Sequence, residues 1–457
     1  MSKTLKCISP IDGSVYLERP TLDVTAAKAL TDKAKAAQKS WALTPIEDRI
    51  RLVMAGVELI GQSTEQMAVE LAHQMGRPVR YGGEYGGFHE RASAMATMAT
   101  DALAPIIVED SDEFVRKIER IPHGLVFVVA PWNYPYMTAI NTVAPALMAG
   151  NSVILKHSTQ TLQVGERLAE AFHQVGIPES VFQNVFIDHE TTSALIKDRC
   201  FDFVNFTGSV GGGQAMEQAA AGTFTGVGTE LGGKDPGYVR ADANLDAAVD
   251  TLIDGAMFNS GQCCCGIERI YVHESLFEQF VDKAITLVKT YRLGNPLDQD
   301  TTLGPMANVR FAQEVRKQIE EAVADGANRC VDVFPEDDGG AYLSPTILTN
   351  VNHSMRIMRD ESFGPVVGIM SVKDDEQAIE LMNDSDFGLT ASIWTQDVNA
   401  AYKIGSQIET GTVFMNRCDY LDPELCWTGC KDTGRGGGLS VIGFHNVTRP
   451  KSFHLKK

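Results

Sequence analysis

Three features of the 457-residue sequence predict an α/β protein with two mostly parallel sheets. From residue 125 onward, short apolar strands alternate with amphipathic helices, which is the pattern of a parallel sheet covered on both faces. A glycine-rich segment at 226–239 precedes a second run of the same kind and is predicted to cross between domains. The length exceeds what one hydrophobic core usually holds, so we expect two or three domains.

The first hundred residues are predicted to be helical. Apolar residues recur at three- and four-residue spacing over 21–40, 45–76 and 88–103, which is the pattern of amphipathic helices. Pro45 is typical of a helix start and Gly76 of a helix end. We therefore expect three helices before the first parallel strand.

Two segments outside these runs, 113–121 and 447–455, alternate charged and apolar residues. Such alternation indicates strands with one face in water. Because a lone strand needs a partner, we expect the two segments to pair with each other or to extend a sheet edge of another subunit.

The two α/β runs are predicted element by element. In the first, strands are expected at 125–130, 152–155, 181–187 and 203–206, with helices at 139–148, 162–174, 191–197 and 214–221. In the second, strands are expected at 269–272, 345–348, 366–370, 391–394 and 412–416, with helices at 245–258, 276–291, 310–324, 376–382 and 400–408. Parallel sheets bind ligands beyond the carboxyl ends of their strands, where the loops 131–133, 156–159 and 207–213 are expected. The sequence therefore predicts a nucleotide site there.

Composition and charge exclude several classes of protein. Hydrophobic residues make up 44% of the chain and no apolar run is long enough to span a bilayer, so we expect no membrane partner. The net charge of -19 and the scattered Lys and Arg residues argue against a nucleic acid partner. The N-terminus lacks a secretory signal and an Arg-rich presequence, so we expect a cytoplasmic location.

The nine cysteines are odd in number, which favours a reducing compartment over a disulfide framework. Cys418, Cys426 and Cys430 lie close in sequence, but their spacings do not form a paired C-x₂-C module. A zinc site is therefore disfavoured, and no metal site is predicted.

Three further cysteines are consecutive, Cys263 to Cys265, after a Gly-Gln pair at the end of a predicted helix. A thiol there is either a buried structural group or a nucleophile that attacks a carbonyl carbon. Asn133 follows Pro-Trp in a loop, and a fixed amide of this kind stabilises the alkoxide that forms on attack. Hydride loss to a nicotinamide would then leave a thioester, and Glu230 could serve as the general base for its hydrolysis.

Five collinear motifs together resemble the aldehyde dehydrogenase superfamily from about residue 10 to the C-terminus. The motifs are Pro131-Trp-Asn-Tyr-Pro135, Phe206-Thr-Gly-Ser209, Glu230-Leu-Gly-Gly-Lys234, Gly261-Gln-Cys-Cys264 and Glu361-Ser-Phe-Gly-Pro365. A single match of this kind could arise by chance, whereas five in the same order could hardly do so.

The resemblance implies a role for each matched residue. Cys264 is implied as the nucleophile, Asn133 and the Cys264 N–H as the oxyanion hole, and Glu230 as the general base. NAD or NADP is the implied cofactor, with contacts from Trp132, Lys156, Thr159, Gly208, Ser209, Leu231, Glu361 and Phe363. The expected pocket for a small aldehyde is bordered by Tyr134, Thr138, Asn141, Cys263, Cys265, Arg417 and Trp427. Lys234 is expected to form only a structural ion pair.

Several positions depart from the family pattern. Thr159 stands where NAD-preferring members often carry a Glu, and a threonine hydroxyl can donate a hydrogen bond to a 2′-phosphate, which makes NADP use plausible. The string Gly208-Ser-Val-Gly-Gly-Gly213 lacks a side chain that covers the adenine in relatives.

Thr142 and Gly438 occupy positions where relatives carry proton-relay groups, so Glu230 is expected to act with water and backbone groups alone. Arg417 is an alternative anchor for an acidic substrate, or a solvated charge beside Asp419.

The resemblance also implies a domain plan and a homodimer or homotetramer. We expect a Rossmann-type cofactor-binding domain at 1–105 and 124–232, a catalytic α/β domain at 233–432, and a small β oligomerisation element at 106–123 and 440–457. The favoured activity is NAD(P)-dependent oxidation of an aldehyde to a carboxylic acid. The alternatives are a CoA-acylating aldehyde dehydrogenase, against which Glu230 argues, and a dinucleotide-binding scaffold without turnover.

Overall fold

The computed structural model describes residues 3–457. Its first half contains, in chain order, β1 (Thr4–Ile8), β2 (Val15–Pro20), α1 (Val24–Trp41), α2 (Ile46–Gly61), α3 (Thr64–Met75), α4 (Tyr85–Ala102), β3 (Ile106–Asp110), β4 (Phe114–Pro122), β5 (Leu125–Ala130), α5 (Pro135–Met148), β6 (Ser152–His157), α6 (Leu162–Gln174), β7 (Phe182–Asn184), α7 (His189–Lys197), β8 (Phe203–Thr207), α8 (Val210–Ala220) and β9 (Gly226–Glu230). Its second half contains β10 (Asp235–Val239), α9 (Leu245–Met257), β11 (Ile267–His273), α10 (Phe277–Val288), α11 (Val309–Ala324), β12 (Asn328–Arg329), β13 (Thr346–Thr349), β14 (Val366–Val372), α12 (Asp375–Asn383), β15 (Phe387–Gly388), β16 (Thr390–Trp394), α13 (Val398–Gly405), β17 (Thr412–Met415), β18 (Cys430–Lys431), α14 (Ser440–Asn446) and β19 (Thr448–Lys456).

The first sheet has five parallel strands in the order β7-β6-β5-β8-β9. All six residues of the central β5 are buried, because helices cover both faces of a sheet of this kind. Each predicted strand and helix of the first run is present, but three differ clearly in their bounds: α5 begins at Pro135 rather than at residue 139, α8 begins at Val210 rather than at residue 214, and β7 covers only Phe182–Asn184 of the predicted 181–187. The early start of α5 has a clear cause. The cause is a tertiary contact, since the Glu84 carboxylate accepts hydrogen bonds from the N–H groups of Tyr136 (3.0 Å) and Met137 (3.1 Å).

The second sheet has seven strands in the order β12-β13-β14-β11-β10-β16-β17, and only β12 runs antiparallel to its neighbour. The glycine-rich segment crosses between the sheets as predicted, because β9 belongs to the first sheet and β10 to the second. The two strands themselves were not predicted, since glycine is depleted in strands. Gly237 allows close packing in β10, because a Cβ there would lie 2.6 Å from the Leu252 side chain, which would have to shift.

The N-terminal region differs from the predicted helical region in two ways. The strands β1 and β2 form an antiparallel hairpin before α1, and the predicted helix at 45–76 is two helices, α2 and α3. The hairpin is mostly exposed and only Cys7 is buried in it, so its apolar pattern is weak. Long-range contacts hold it instead: the Cys7 thiol donates to the carbonyl of Gln160 (3.0 Å), and the Gln160 amide donates to the carbonyl of Ile8 (2.8 Å).

A three-stranded antiparallel sheet, in the order β19-β4-β3, stands apart from the two parallel sheets. β19 pairs with β4 along its whole length, from Thr448 opposite Pro122 to Lys456 opposite Phe114. This confirms that the two segments of alternating pattern pair with each other. The sequence did not predict β3, whose apolar residues are exposed at an unpaired edge.

Two kinds of feature are absent from residues 3–457. No helix combines the length and the apolar character that a bilayer span requires. No group of three or more His, Cys, Asp or Glu side chains is arranged to hold a metal ion.

Candidate active site

A cavity of about 280 Å³ lies beyond the carboxyl ends of β5, β8 and β9. Ten residues singled out in the sequence line it: Trp132, Asn133, Thr138, Gly208, Ser209, Glu230, Leu231, Cys264, Glu361 and Phe363. The three expected catalytic residues are therefore brought together from three different parts of the chain, as the five motifs require.

The loop that carries Cys264 is fixed by its backbone. After α9 the chain turns through left-handed conformations at Asn259 (φ 54°), Ser260 (φ 55°) and Gly261 (φ 69°). Only glycine fits at position 261, because a Cβ there would overlap the carbonyl of Gly364. The Gln262 side chain then closes the turn, since its amide donates to the Asn259 carbonyl (3.0 Å) and its oxygen accepts from the Ala307 N–H (2.8 Å).

Of the three consecutive cysteines, only Cys264 lines the cavity. Cys263 is 8% exposed and Cys265 is 1% exposed, and their sulfur atoms lie 3.5 Å apart. Both side chains are therefore buried in the protein. Hydrogen bonding to Cys263 and burial hold the pKa of the Cys264 thiol well above its ordinary value. The thiol is therefore protonated at neutral pH, and its activation requires a base.

Asn133 and the Cys264 backbone offer two free donors to the cavity. The Asn133 side chain is buried, and it makes no hydrogen bond to any group within residues 3–457. The Cys264 N–H likewise has no acceptor among the described groups. Two fixed, unsatisfied donors beside a thiol match the requirement of an oxyanion hole.

A buried ion pair that the sequence reasoning missed supports Asn133. Arg77 pairs with Glu84 and donates hydrogen bonds to the backbone carbonyl of Asn133 and to the Asn259 side chain (3.2 Å). Asn259 also donates to the Asn133 carbonyl (3.3 Å). The pair therefore joins the oxyanion loop to the nucleophile loop, and both its members are almost fully buried. No local motif marks it, since Arg77 and Glu84 lie more than 45 residues before either loop.

Glu230 ends β9 inside the cavity, and burial raises its pKa to about 7. The expectation that only water and backbone groups would accompany it is wrong, because the Thr207 hydroxyl donates to its carboxylate (3.3 Å). The charge of Arg91 also acts on Glu230 and lowers its pKa. Gly438 leaves room beside the carboxylate, since a Cβ there would lie 2.7 Å from Glu230 Oε1.

Glu361 lines the same cavity as the catalytic groups. Its Oε1 accepts a hydrogen bond from the Gly233 N–H (3.0 Å), and burial raises its pKa to about 8. A side chain at position 232 would overlap this carboxylate, so Gly232 leaves the space in which Glu361 sits. The second carboxylate oxygen makes no hydrogen bond to the described chain and can accept one from a ligand.

The neighbouring backbone is held by the Lys234–Glu268 ion pair, which is fully buried. Glu268 accepts hydrogen bonds from the N–H groups of Ser362 (2.8 Å) and Phe363 (2.9 Å). Lys234 therefore has the structural role that the sequence favoured. Phe363 itself is in a left-handed conformation (φ 51°), an unfavourable state that persists only where surrounding contacts enforce it.

Aromatic rings form another part of the wall. Trp132 stacks on Phe311 with ring centroids 5.4 Å apart, and it meets Phe363 edge-on at 5.5 Å. Phe311 was not predicted, because it lies on α11, outside every motif. Thr207 was also missed, although it lies within the Phe206-Thr-Gly-Ser209 motif, which is a signal that could have found it.

The first turn of α8 adds an anion-binding feature to the same cavity. Gly208 and Ser209 line the cavity directly before this 11-residue helix. The Ser209 hydroxyl accepts a hydrogen bond from the Gly212 N–H (3.3 Å) and caps the helix. The positive end of the helix dipole therefore faces the cavity.

The other predicted site residues lie outside this cavity. They are Lys156, Thr159, Tyr134, Asn141, Cys263, Cys265, Arg417 and Trp427. Lys156 is buried on β6, where burial lowers the pKa of its ammonium group, and Thr159 begins the short turn that follows this strand. Arg417 is exposed, and its guanidinium stacks on the Tyr420 ring at 3.9 Å from the centroid.

Comparison with known proteins identifies the family. A model of the aldehyde dehydrogenase family matches residues 1–453. The chain belongs to the aldehyde dehydrogenase family. This confirms the resemblance carried by the five motifs, the α/β fold class, and the predicted class of enzyme, an NAD(P)-dependent aldehyde dehydrogenase.

Individual relatives are similar over nearly their whole length. An aldehyde dehydrogenase of Paenarthrobacter nicotinovorans is 32% identical, and the match covers 97% of this chain and 99% of the relative. The NAD(P)+ succinate semialdehyde dehydrogenase Sad of Escherichia coli (strain K12) is 30% identical, with 96% and 95% covered. Among solved structures, the P. syringae indole-3-acetaldehyde dehydrogenase AldA, in complex with NAD+, has a TM-score of 0.95 at 30% identity, with 100% and 94% covered.

Proposed function

We propose that this cavity oxidises an aldehyde to the carboxylic acid with NAD or NADP. Cys264 is the nucleophile, Asn133 and the Cys264 N–H form the oxyanion hole, and Glu230 is the general base. The observation that carries the proposal is the convergence of these three side chains on one cavity that Glu361 and Phe363 also line.

The first step is attack by the Cys264 thiolate on the aldehyde carbon. A carbon–sulfur bond forms, and the carbonyl π electrons move to oxygen, so the product is a thiohemiacetal alkoxide. Glu230 receives the thiol proton directly or through water, because the raised pKa of the thiol prevents spontaneous ionisation at neutral pH, and it releases this proton to solvent before the hydrolysis step. The Asn133 amide and the Cys264 N–H stabilise the alkoxide where it forms, and they need no reorganisation to do so.

Oxidation and hydrolysis follow on the same sulfur. A bound NAD(P)+ would supply the acceptor for the hydride of the thiohemiacetal carbon, and loss of that hydride would leave a thioester on Cys264. Glu230 removes a proton from water as the water oxygen attacks the thioester carbon. The carbon–sulfur bond breaks, the Cys264 thiolate is regenerated and the carboxylic acid leaves.

The other residues that line the cavity fit a dinucleotide. The free oxygen of Glu361 is suited to the hydroxyl groups of a ribose, and the N-terminus of α8 with Gly208 and Ser209 is suited to the pyrophosphate. Trp132, Leu231 and Phe363 provide the apolar wall beside them. Lys156 and Thr159 follow at the end of β6, on the same edge of the sheet, for the adenosine ribose.

NADP is used as well as NAD in this proposal. The support is Thr159, whose hydroxyl donates to a 2′-phosphate where a carboxylate would repel it. The NADP arm of the assay below measures this. Full activity with NAD and none with NADP would contradict it.

We assign 1–105 and 124–232 to cofactor binding, 233–432 to catalysis, and 106–123 and 440–457 to subunit contact in a homodimer or homotetramer. The support for the last assignment is the antiparallel sheet, whose β3 edge exposes Ile106 (64%), Ile107 (58%) and Val108 (54%). An unpaired apolar edge of this kind offers free backbone N–H and C=O groups with which another chain can pair. The nine free cysteines are consistent with a cytoplasmic location.

The proposed reaction is tested with a panel of aldehydes, each measured with NAD and with NADP. The panel includes succinate semialdehyde and indole-3-acetaldehyde, the aldehydes that the names of two relatives print. We expect NAD(P)H formation without added CoA and release of one free acid per NAD(P)H. A rate and a product that depend on CoA would contradict hydrolysis by Glu230 and water, and the absence of oxidation across the panel would contradict the activity itself.

A further inference from the structure

Arg91 is a buried cation on the apolar face of α4. Its side chain packs on the same face as Phe88, Ala92 and Met95, and the residue is 8% exposed. Arginine is almost never this buried unless it is paired, because removing its charge from water is costly.

The hydrogen bonds of Arg91 leave most of its guanidinium free. Its Nη1 donates to the Met137 carbonyl (3.0 Å) and to Asn141 Oδ1 (3.3 Å), and both acceptors are uncharged. The Nε and Nη2 groups donate to no acceptor in residues 3–457. Four side-chain atoms of the described chain have neither accessible surface nor a hydrogen-bond partner, and the Nε and Nη2 atoms of Arg91 are not among them. Both nitrogen atoms therefore keep some accessible surface.

No acidic side chain of the described chain forms an ion pair with Arg91. Its strongest acidic neighbour is Glu84, but that carboxylate is already paired with Arg77 and bound to the N-terminus of α5. Burial lowers the pKa of Arg91, as expected for a cation without a counter-ion. The guanidinium therefore has no paired carboxylate within the described chain, and an anionic ligand would supply the missing counter-ion.

Arg91 lies next to the cavity that holds the catalytic groups, because its acceptor Met137 directly precedes Thr138, which lines that cavity. Arg91 is also close enough to Glu230 for its charge to lower the pKa of that carboxyl group. Its partner Asn141 is one of the residues expected to border the aldehyde pocket. The adjacent Glu90 accepts a hydrogen bond from the Tyr420 hydroxyl (2.8 Å), so this part of α4 contacts the loop 417–427, two of whose residues were expected to border that pocket.

We propose that Arg91 binds a carboxylate at the far end of the substrate, so that the enzyme selects aldehydes that also carry a carboxylate. This inference rests on the proposed function and names the substrate class for the same site. A guanidinium presents parallel N–H donors that match the two oxygens of a carboxylate, and a buried pair of this kind discriminates strongly against an uncharged analogue. Arg91 is therefore a specificity-determining residue that lies outside every family motif in the sequence.

Arg417 is the competing anchor for such a carboxylate. It is exposed and already stacked on Tyr420, and a solvated cation attracts an anion only weakly. Arg91 is buried and unpaired, so the geometry favours Arg91.

The test compares succinate semialdehyde with butanal, which has the same carbon chain and no carboxylate. The kcat and KM for both aldehydes are measured in the full-length enzyme and in the R91Q, R91K, R417Q and R51Q variants. Arg51 serves as the matched control, because it is an exposed arginine on α2. We expect wild type to prefer succinate semialdehyde. R91Q should raise its KM about 10- to 100-fold, the effect of losing one or two charge-assisted hydrogen bonds.

The remaining arms distinguish a binding role from a structural one. The inference requires R91Q to raise the KM for succinate semialdehyde far more than the KM for butanal, R91K to recover part of the lost affinity, and R51Q to match wild type. Both aldehydes are measured well above pH 7, because the charge of Arg91 also lowers the pKa of Glu230 and its loss would shift the rate with either aldehyde near that pH. An equal loss with both aldehydes in R91Q would overturn it, because that is the result of a structural role. The inference is also overturned if wild type shows no preference for succinate semialdehyde over butanal. It is overturned as well if R417Q raises the KM for succinate semialdehyde and R91Q does not. Failure of wild type to oxidise either aldehyde, with the rest of the panel also inactive, would instead remove the proposed function.

Discussion

Replacing Cys264 with alanine is expected to abolish aldehyde oxidation while leaving the fold and dinucleotide binding intact. The thioester forms on this sulfur, so the variant has no group that can hold the acyl intermediate. Removal of a catalytic nucleophile typically lowers kcat by roughly 10⁴-fold or more. The side chain is partly exposed in the cavity and not packed in a core, so its truncation should cost little stability. Steady-state NAD(P)H formation measures the loss, and quenching of tryptophan fluorescence on titration with NAD(P)+ measures binding.

Two controls separate the nucleophile from its neighbours. Cys430→Ala is the matched control, because this thiol lies at β18 and donates to the Glu409 carbonyl (3.1 Å), away from the cavity. We expect it to match wild type. Labelling with iodoacetamide followed by mass spectrometry should modify Cys264 before the buried Cys263 and Cys265. Wild-type turnover by Cys264→Ala would show that another group is the nucleophile.

Local sequence patterns were enough to predict most of the fold. The β5 strand is apolar throughout and α6 has a strong amphipathic pattern, so each indicates its own structure and burial. The β1–β2 hairpin has neither property, because it is half-exposed and depends on Gln160, about 150 residues away. β9 and β10 were missed for a similar reason. Their glycines allow neighbouring elements to pack closely, but glycine is uncommon in strands, so the composition does not indicate a strand.

The catalytic residues could be found in the sequence, whereas their supports could not. Cys264, Asn133 and Glu230 each belong to a short motif whose order along the chain is informative. Arg77 and Arg91 are single arginines in N-terminal segments, and only the three-dimensional structure brings them to the site. A signal for Arg91 did exist, because it shares helical spacing with Phe88 and Met95 on an otherwise apolar face. A charged residue on such a face is a reason to look for a buried partner.

The pKa of Glu230 predicts how the rate depends on pH. Burial raises this pKa to about 7, so the carboxylate, which is the form that accepts a proton, predominates only above that pH. We expect kcat in wild type to fall about tenfold per pH unit well below pH 7, as the acid form replaces the base. Burial also raises the pKa of Glu361 to about 8 and of Asp419 to about 7, so the profile of wild type alone does not identify the group.

Replacement of Glu230 with glutamine resolves this ambiguity and has the second large effect. Glutamine keeps the shape of the side chain but cannot accept the proton of water, so thioester hydrolysis should slow by about 10²- to 10⁴-fold. The first turnover separates the two roles of Glu230: a rapid burst of NAD(P)H, up to one per active site, shows that only hydrolysis is slowed, and its absence shows that ionisation of the Cys264 thiol is slowed as well. The remaining steady-state rate should lose its dependence on pH near 7. The exposed Glu190→Gln serves as the matched control and should retain both the rate and the profile of wild type. A Glu230→Gln variant with the wild-type steady-state rate, or with the wild-type pH profile, would assign the base to another group, and Glu361 and Asp419 would be the next residues to replace.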